Sequence, residues 1–176
     1  MQEHGLKISE LVTLFNLEVL NRGSDYATAL LTITDVNRPG LQFHSFYDYF
    51  DPRRLQVLGK AEITYLKGLT TEQRRKCFDD LFLYDIPALV ISRGLDCFPE
   101  CLESARVHER TLLRTEETTV EFTSHTIEYL NRVLAPCVPR HGVLLDISGE
   151  GVMITGDSGI GKSESAIELI MRGHRL

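Results

Sequence analysis

The chain contains 176 residues, of which 43% are hydrophobic and 25% are charged, and its formal net charge at pH 7 is −6. This composition is ordinary for a globular protein with a sizeable core. The negative charge argues against a general nucleic-acid binder, which would need a basic face. We find no apolar signal core at the N-terminus and no run of 18 apolar residues, so we expect a cytoplasmic protein without membrane contact.

The four cysteines do not form a disulfide framework or a C-x-x-C motif; they are Cys77, Cys97, Cys101 and Cys137. Cys97, Cys101 and His108 could be half of a zinc site, but a second ligand pair at usable spacing is missing. The sequence therefore favours reduced and mostly buried thiols.

Strands alternate with helices in the first 134 residues, which predicts an α/β domain. The expected helices carry apolar residues at helical spacing or begin at a capping box; they cover Ile8 to Phe15, Ala61 to Leu66, Thr70 to Tyr84, Phe98 to Val107, and the stretch from Thr118 to Pro136. The expected strands are β-branched or apolar runs at Glu18 to Leu20, Leu30 to Thr34, Leu55 to Gly59, Pro87 to Ile91 and Thr111 to Arg114.

An aromatic cluster follows a predicted turn at Asn37 to Gly40; its members are Phe43, Phe46, Tyr47, Tyr49 and Phe50. The simplest interpretation is core packing, because aromatic side chains bury a large area. The alternative is a contact with another subunit or with a ligand, and the sequence alone leaves both open.

Two prolines in the extended segment from Ala135 to Arg140 are typical of a linker. We therefore predict an N-terminal domain over residues 1–134 and the beginning of a second domain over residues 135–176. A strand from His141 to Ile147, a tight turn from Ser148 to Gly151 and a strand that ends at Thr155 predict a β-hairpin.

The hairpin leads directly into a phosphate-binding loop with the pattern G-x-x-x-x-G-K-[ST]; its residues are Gly156, Asp157, Ser158, Gly159, Ile160, Gly161, Lys162 and Ser163. The glycines can adopt positive φ values that turn backbone N–H groups towards a phosphate. Lys162 can reach the β- and γ-phosphates of ATP, and the Ser163 hydroxyl can bind Mg²⁺. A following apolar helical face at Ala166, Ile167, Ile170 and Met171 completes the strand–loop–helix unit, with Gly173 as its stop.

Two residues near the loop have open roles on residue chemistry alone. His141, a single histidine at the start of a strand, fits a structural role or a catalytic one. Asp157 could stabilise a turn through its side chain or contribute to nucleotide binding.

Five stretches of the chain together resemble the bacterial HPr kinase/phosphorylase family; they are residues 140–144, 154–164 and 172–176, and upstream 37–42 and 47–50. The loop motif is generic, whereas its combination with His141 and with the tail Arg172-Gly173-His174-Arg175 is specific. The resemblance implies a Mg²⁺- and ATP-dependent serine kinase of the phosphocarrier HPr. It also implies the reverse reaction, in which inorganic phosphate removes the phosphoryl group and pyrophosphate forms.

The resemblance further implies a homo-hexamer that controls carbon catabolite repression, with His141 and Lys162 as active-site residues and Ser163 as the Mg²⁺ position. The family's acid/base aspartate and a second metal-binding carboxylate correspond to positions after Leu176. We therefore expect a truncated kinase that is inactive alone. The alternatives are another P-loop NTPase or small-molecule kinase, or a module that senses nucleotide without catalysis.

Overall fold

The computed structural model describes residues 5–176, so the first four residues of the predicted N-terminal domain lie outside the described part. The chain forms two compact units: the first ends at Ala135, and the second runs from Pro136 to Leu176. Each unit has its own sheet structure, and the two are described separately.

Seven short strands and five α-helices build the described part of the first unit. The strands are β1 (Leu6–Lys7), β2 (Glu18–Asn21), β3 (Leu30–Leu31), β4 (Val36–Asn37), β5 (Leu55–Leu58), β6 (Leu89–Ile91) and β7 (Leu112–Arg114). The helices are α1 (Ile8–Leu14), α2 (Lys60–Lys67), α3 (Thr71–Phe82), α4 (Pro99–Val107) and α5 (Thr119–Val133), with a short 3₁₀ turn at Gln42–His44.

The main sheet has five strands in the order β2-β7-β6-β5-β4. Strands β4, β5, β6 and β7 are parallel, and β2 adds to the edge of β7 in the antiparallel direction. All residues of β5 and β6 are buried, as expected for parallel strands that are covered on both faces. The α/β class predicted for this unit is therefore correct.

Helices cover the two faces of this sheet and form two hydrophobic cores. Successive residues of β6 alternate between the cores, because neighbouring side chains of a strand point to opposite faces. Leu89 and Ile91 belong to the core that contains Phe78 of α3, whereas Val90 belongs to the core that contains Phe122 of α5. The unit is thus a sheet between two helical layers.

Both predicted capping boxes are present. The Gln73 amide donates to Thr70 Oγ1 over 3.3 Å, and the Thr70 amide donates to Gln73 Oε1 over 2.9 Å. Thr118 and Glu121 repeat this reciprocal pair at the start of α5, with backbone donor distances of 3.1 and 3.3 Å. These contacts satisfy N–H groups that a helix cannot pair internally, which explains why α3 and α5 begin where the sequence predicts.

The predicted strand at Leu30 to Thr34 is mostly wrong. Only Leu30–Leu31 is a strand, and it pairs with Leu6–Lys7 outside the main sheet. The chain then bends and supplies Val36–Asn37 as the edge strand next to β5, a strand that the sequence analysis did not predict. Short strands of this kind depend on a distant partner, which a local β-branched pattern does not identify.

The aromatic cluster divides into a packed part and an exposed part. Phe43 is buried in the core of α3, and Tyr47 stacks on Tyr84 at a ring distance of 4.8 Å. Phe46 and Tyr49 are exposed, Tyr49 completely so. The core-packing interpretation therefore holds for Phe43, Tyr47 and Phe50, which contacts both tyrosine rings.

The cysteines are mostly buried, as the sequence analysis expected, with one exception. Cys77 and Cys101 are buried and Cys97 is half-buried, but Cys137 is exposed. Within residues 5–176, no group of three or more His, Cys, Asp or Glu side chains is arranged to hold a metal ion. Among the helices of the same residues, none is long and apolar enough to cross a membrane.

The second unit consists of a hairpin and one helix: β8 (Gly142–Ile147), β9 (Glu150–Thr155) and α6 (Lys162–Met171). Ser148 and Gly149 form the turn with φ values of 58° and 90°, the combination of a type I′ turn. The predicted four-residue turn is therefore too long by two residues. On the other edge of β8, Asp146 and Arg175 exchange backbone hydrogen bonds of 2.8 and 3.1 Å and form a single antiparallel bridge.

The apolar side chains of α6 point in two directions. Ala166 is buried within the second unit and Leu169 is half-buried. Ile167, Ile170 and Met171 are exposed. The predicted apolar face is thus only partly the one that packs within this unit, because the broad apolar stripe of α6 extends beyond the hairpin contact.

Candidate functional site: the phosphate-binding loop

Three glycines give the loop between β9 and α6 its shape. Gly156, Gly159 and Gly161 have φ values of 154°, 85° and 90°, a region that side chains rarely occupy without strain. Gly161 is the residue immediately before the first turn of α6. The loop therefore brings successive backbone amides to the N-terminus of a helix, where the helix dipole favours an anion.

Lys162 lies across the loop. Its Nζ donates to the carbonyl oxygen of Gly156 over 2.8 Å and to that of Asp157. These two acceptors stand at the entrance of the loop, six and five residues before the lysine. The ammonium group is therefore held at the concave side, where it can exchange carbonyl oxygens for phosphate oxygens.

The hairpin register brings His141 to the same place. Gly142 of β8 pairs with Thr155 of β9, so the residue before Gly142 and the residue after Thr155 are neighbours at the end of the hairpin. These residues are His141 and Gly156, and both line one open cavity of about 720 Å³. The structure thus joins a histidine and a loop that are separated by 15 positions in the chain.

Most of the predicted site residues line this cavity. Its wall consists of His141, Gly142, Val143, Gly156, Asp157, Ser158, Gly159, Gly161, Lys162, Ser163 and Glu164. Ile160 is the exception among the predicted residues. A Cβ atom placed on Gly156 would lie 2.3 Å from Ile160 Cδ1, so the Ile160 side chain covers the back of the first glycine instead.

Gly142, Val143 and Glu164 are cavity residues that the sequence analysis did not assign. Gly142 and Val143 follow from the hairpin register alone. Glu164 had a sequence signal, because it directly follows the loop serine in the first turn of α6. A carboxylate at that position places a negative charge beside the loop and a possible oxygen ligand beside Ser163.

The donor set fits a metal–nucleotide complex in which the phosphates supply most of the metal ligands. Mg²⁺ usually keeps several waters and takes only one or two protein oxygens. Ser163 and Glu164 provide hard oxygen atoms at the cavity, and Lys162 and the loop amides provide donors for phosphate. Among the ionisable wall residues, Asp157 and Glu164 are acidic and Lys162 is basic, so an anion would depend mainly on the loop amides.

The first turn of α6 is anchored independently of any ligand. The Ser165 amide and the Ser165 hydroxyl each donate to the Gly161 carbonyl oxygen over 2.9 Å. These two hydrogen bonds to one carbonyl oxygen hold the end of the loop in place. Ser163 does not take part in them and lies at the cavity wall.

Family models and similar curated proteins point to the same family. A family model described as HPr Serine kinase N terminus matches residues 6–130, and one described as HPr Serine kinase C-terminal domain matches residues 132–176. Similar curated proteins include the HPr kinase/phosphorylase of Alkaliphilus metalliredigens, which is 49% identical over 172 residues, corresponding to 97% of this chain and 55% of that protein.

Other similar proteins carry the same description. The proteins of Clostridium perfringens and Clostridium beijerinckii are 45% and 46% identical over 98% of this chain. The matched region is 55% and 56% of the length of these two proteins. The chain thus spans about half the length of the curated relatives it matches. Among solved structures, the CBS and DRTGG domains of a Clostridium perfringens pyrophosphatase, in complex with diadenosine tetraphosphate, have a similar fold with a TM-score of 0.52 and 11% identity. The match covers 95% of this chain and 60% of that one.

Proposed function

The chain belongs to the HPr serine kinase family, and on that premise we propose that it carries the nucleotide site of an ATP-dependent serine kinase and phosphorylase acting on HPr. The observation that supports this most strongly is the single cavity that His141 shares with the glycine loop, Lys162 and Ser163. In this proposal residues 1–134 form the N-terminal domain, and residues 135–176 begin the kinase domain.

Each cavity residue has a role in the proposed site. The loop residues from Gly156 to Gly161 hold the phosphates through backbone amides. Lys162 moves its ammonium from the loop carbonyls to the β- and γ-phosphates, where it balances the charge that develops during transfer. Ser163 offers its hydroxyl oxygen to Mg²⁺, which when bound neutralises phosphate charge. His141 lies at the cavity wall, where its imidazole can exchange a proton with a phosphate oxygen.

The remaining parts of the proposal concern the whole enzyme. We propose that HPr, inorganic phosphate and pyrophosphate are its partners, that it assembles as a homo-hexamer in the cytoplasm, and that it controls carbon catabolite repression. Relatives named HPr kinase/phosphorylase support the two activities.

Calorimetric titration of the 176-residue chain with Mg·ATP tests the nucleotide site. We expect saturable binding that weakens about 10- to 100-fold in Lys162→Met, the loss associated with one charge-assisted hydrogen bond. Lys67→Met removes an exposed lysine of the first unit and is the matched control. Equal affinities of the two variants would contradict the proposed site.

A chimera tests the transfer reaction, because the chain spans about half of its relatives. The part of the Alkaliphilus metalliredigens relative that follows the aligned region is joined after Leu176, and the product is mixed with HPr and Mg·ATP. Phosphoserine on HPr that depends on Lys162 would support the kinase proposal. Tight Mg·ATP binding without phosphoserine would favour a nucleotide-sensing module instead.

A further inference from the structure

The first unit contains a small cavity between the 3₁₀ turn at Gln42–His44 and helix α3. Its volume is about 160 Å³, which is close to that of an engineered cavity that binds benzene. Four lining residues recur at helical spacing on one face of α3; they are Gln73, Lys76, Cys77 and Asp80. The cavity lies within the first unit and shares no lining residue with the phosphate-binding loop.

The floor of this cavity is apolar and is formed by Phe43, Leu69 and Cys77. Phe43 and Cys77 are only 5% and 9% exposed, and the Cys77 thiol already donates to the Phe43 carbonyl oxygen over 3.4 Å. Leu69, between α2 and α3, adds a half-buried aliphatic side chain. The floor therefore offers mainly carbon atoms to an occupant, which favours an apolar group of limited size.

One buried polar side chain of the lining has an unused acceptor. Gln42 is only 7% exposed, and its Nε2 donates to the Phe46 carbonyl oxygen over 3.3 Å. Its Oε1 accepts no hydrogen bond from residues 5–176, but this oxygen is not sealed from solvent. A buried amide oxygen normally has a donor. Because Gln42 lines the cavity, a donor that enters the cavity can supply this missing bond.

Two opposite charges stand at the same cavity. Lys76 and Asp80 both line it and lie one helical turn apart. Within the described part of the chain, the ion pairs of α3 are formed by its neighbouring residues Arg74, Arg75 and Asp79, and not by Lys76 or Asp80. The cavity thus presents an ammonium group and a carboxylate, neither of them engaged in an ion pair, to one occupant.

We propose that this cavity binds a free α-amino acid with an aliphatic side chain, for which L-leucine is the probe. The aliphatic side chain packs on Phe43 and Leu69. The α-carboxylate accepts a hydrogen bond from Lys76, and the α-ammonium donates to Asp80 and to Gln42 Oε1. A ligand with a single sign of charge fits less well, because an anion at Lys76 also meets Asp80 and a cation at Asp80 also meets Lys76.

Calorimetric titration of the 176-residue chain with L-leucine at neutral pH tests this site. No HPr or ATP is present, so the result is independent of the proposed kinase activity. Two analogues each remove one charged group: L-leucinamide lacks the carboxylate, and isocaproate lacks the ammonium. We expect saturable binding of leucine and binding of each analogue that is weaker by about tenfold or more, the loss of one charge-assisted hydrogen bond. Absence of saturable leucine binding, or equal affinities for the three compounds, would overturn the proposal.

Two variants assign the charged groups of the ligand to their partners. Lys76→Met should lose most of the preference for leucine over leucinamide, and Asp80→Ala should lose most of the preference for leucine over isocaproate. Lys67→Met and Glu72→Gln are the matched controls, because they remove exposed charges outside the cavity lining, and both should keep the wild-type affinities. Thermal unfolding followed by circular dichroism verifies that each variant is folded. A folded Lys76→Met that still prefers leucine over leucinamide as the wild type does would place the binding elsewhere and refute the assigned site.

Discussion

The ion pair of Arg74 and Glu100 connects helices α3 and α4 within the first unit. Arg74 Nη2 lies 2.9 Å from Glu100 Oε1, and the side chains are only 17% and 7% exposed. The same guanidinium donates to the Leu69 carbonyl oxygen over 2.7 Å, beyond the end of α2, and stacks over the Phe98 ring at 5.1 Å. One side chain thus pairs with one oxygen of a buried carboxylate and with a loop carbonyl, while Glu100 Oε2 is buried without a hydrogen-bond partner.

Replacing Arg74 with methionine keeps most of the apolar stem and removes the charge. Breaking a buried pair from one side costs about 3–5 kcal/mol, because the remaining charge loses its partner in a poorly solvated place. Some solvent reaches Arg74, so we expect the low end, about 3 kcal/mol of unfolding free energy. The Arg74→Met, Glu100→Met double variant removes the stranded carboxylate as well, and we expect it to recover about 1–2 kcal/mol of that loss.

Urea unfolding followed by far-ultraviolet circular dichroism measures these differences, since the chain has no tryptophan for fluorescence. Arg75→Met is a matched control on the next residue of the same helix. Arg75 also pairs with a glutamate of α4, Glu103, but both side chains are about half exposed. An exposed pair contributes only about 0–1 kcal/mol, so the control should unfold at nearly the wild-type urea concentration.

Equal free energies of unfolding for Arg74→Met and Arg75→Met would contradict this reasoning. If Arg74→Met cost no more than Arg75→Met, the burial of the pair would not determine its energy. A double variant as unstable as the sum of its two single variants would refute the stranded-charge explanation, because the coupling between Arg74 and Glu100 would then be absent.

Three other outcomes follow from the same contacts. Gly161→Ala places a side chain at a φ of 90°; the strain of about 1–2 kcal/mol should weaken Mg·ATP binding roughly tenfold in calorimetry, and unchanged affinity would contradict the assigned loop geometry. Ser163→Ala should lower the Mg²⁺ dependence of ATP binding, whereas Ser165→Ala, which loses only a bond to Gly161, should keep it; equal effects would argue against Ser163 as the metal position. The Arg74 hydrogen bond holds the pKa of Glu100 below its ordinary value. The pair therefore stabilises the fold above the ordinary pKa and loses this contribution as pH falls through the lowered one. In Glu100→Gln the free energy of unfolding should therefore fall less steeply at acid pH than in the wild type, as measured by urea unfolding at each pH. An unchanged slope would show that Glu100 is not the group responsible.

The sequence predicted those parts of the fold that depend on local chemistry. The box of Thr70 and Gln73 predicts the start of α3 because the two side chains and the two amides lie within four consecutive residues. The phosphate loop is predictable for the same reason, since its glycines, lysine and serine act on one short stretch of backbone. Proline at the first position of α4 is a further local signal.

The order of the sheet was not predictable in this way. Strand β2 comes before the four other strands of the main sheet in the chain, yet it pairs with β7, the last of them, where Glu18 lies opposite Arg114 and forms an ion pair with it. Pairing over such separations is selected by the whole core rather than by either strand. The same reason explains why the β-branched run after Leu31 does not continue as a strand.

The position of His141 shows how a small local error changes a site. A four-residue turn at residues 148–151 would pair Ile147 with Val152, and counting along the hairpin would then place His141 opposite Ser158, at the tip of the loop. The type I′ turn pairs Ile147 with Glu150, and the same count places His141 opposite Gly156, at the loop entrance that Lys162 also contacts. Because register is fixed by turn length, the two positive φ values at Ser148 and Gly149 determine which part of the phosphate loop the histidine can reach.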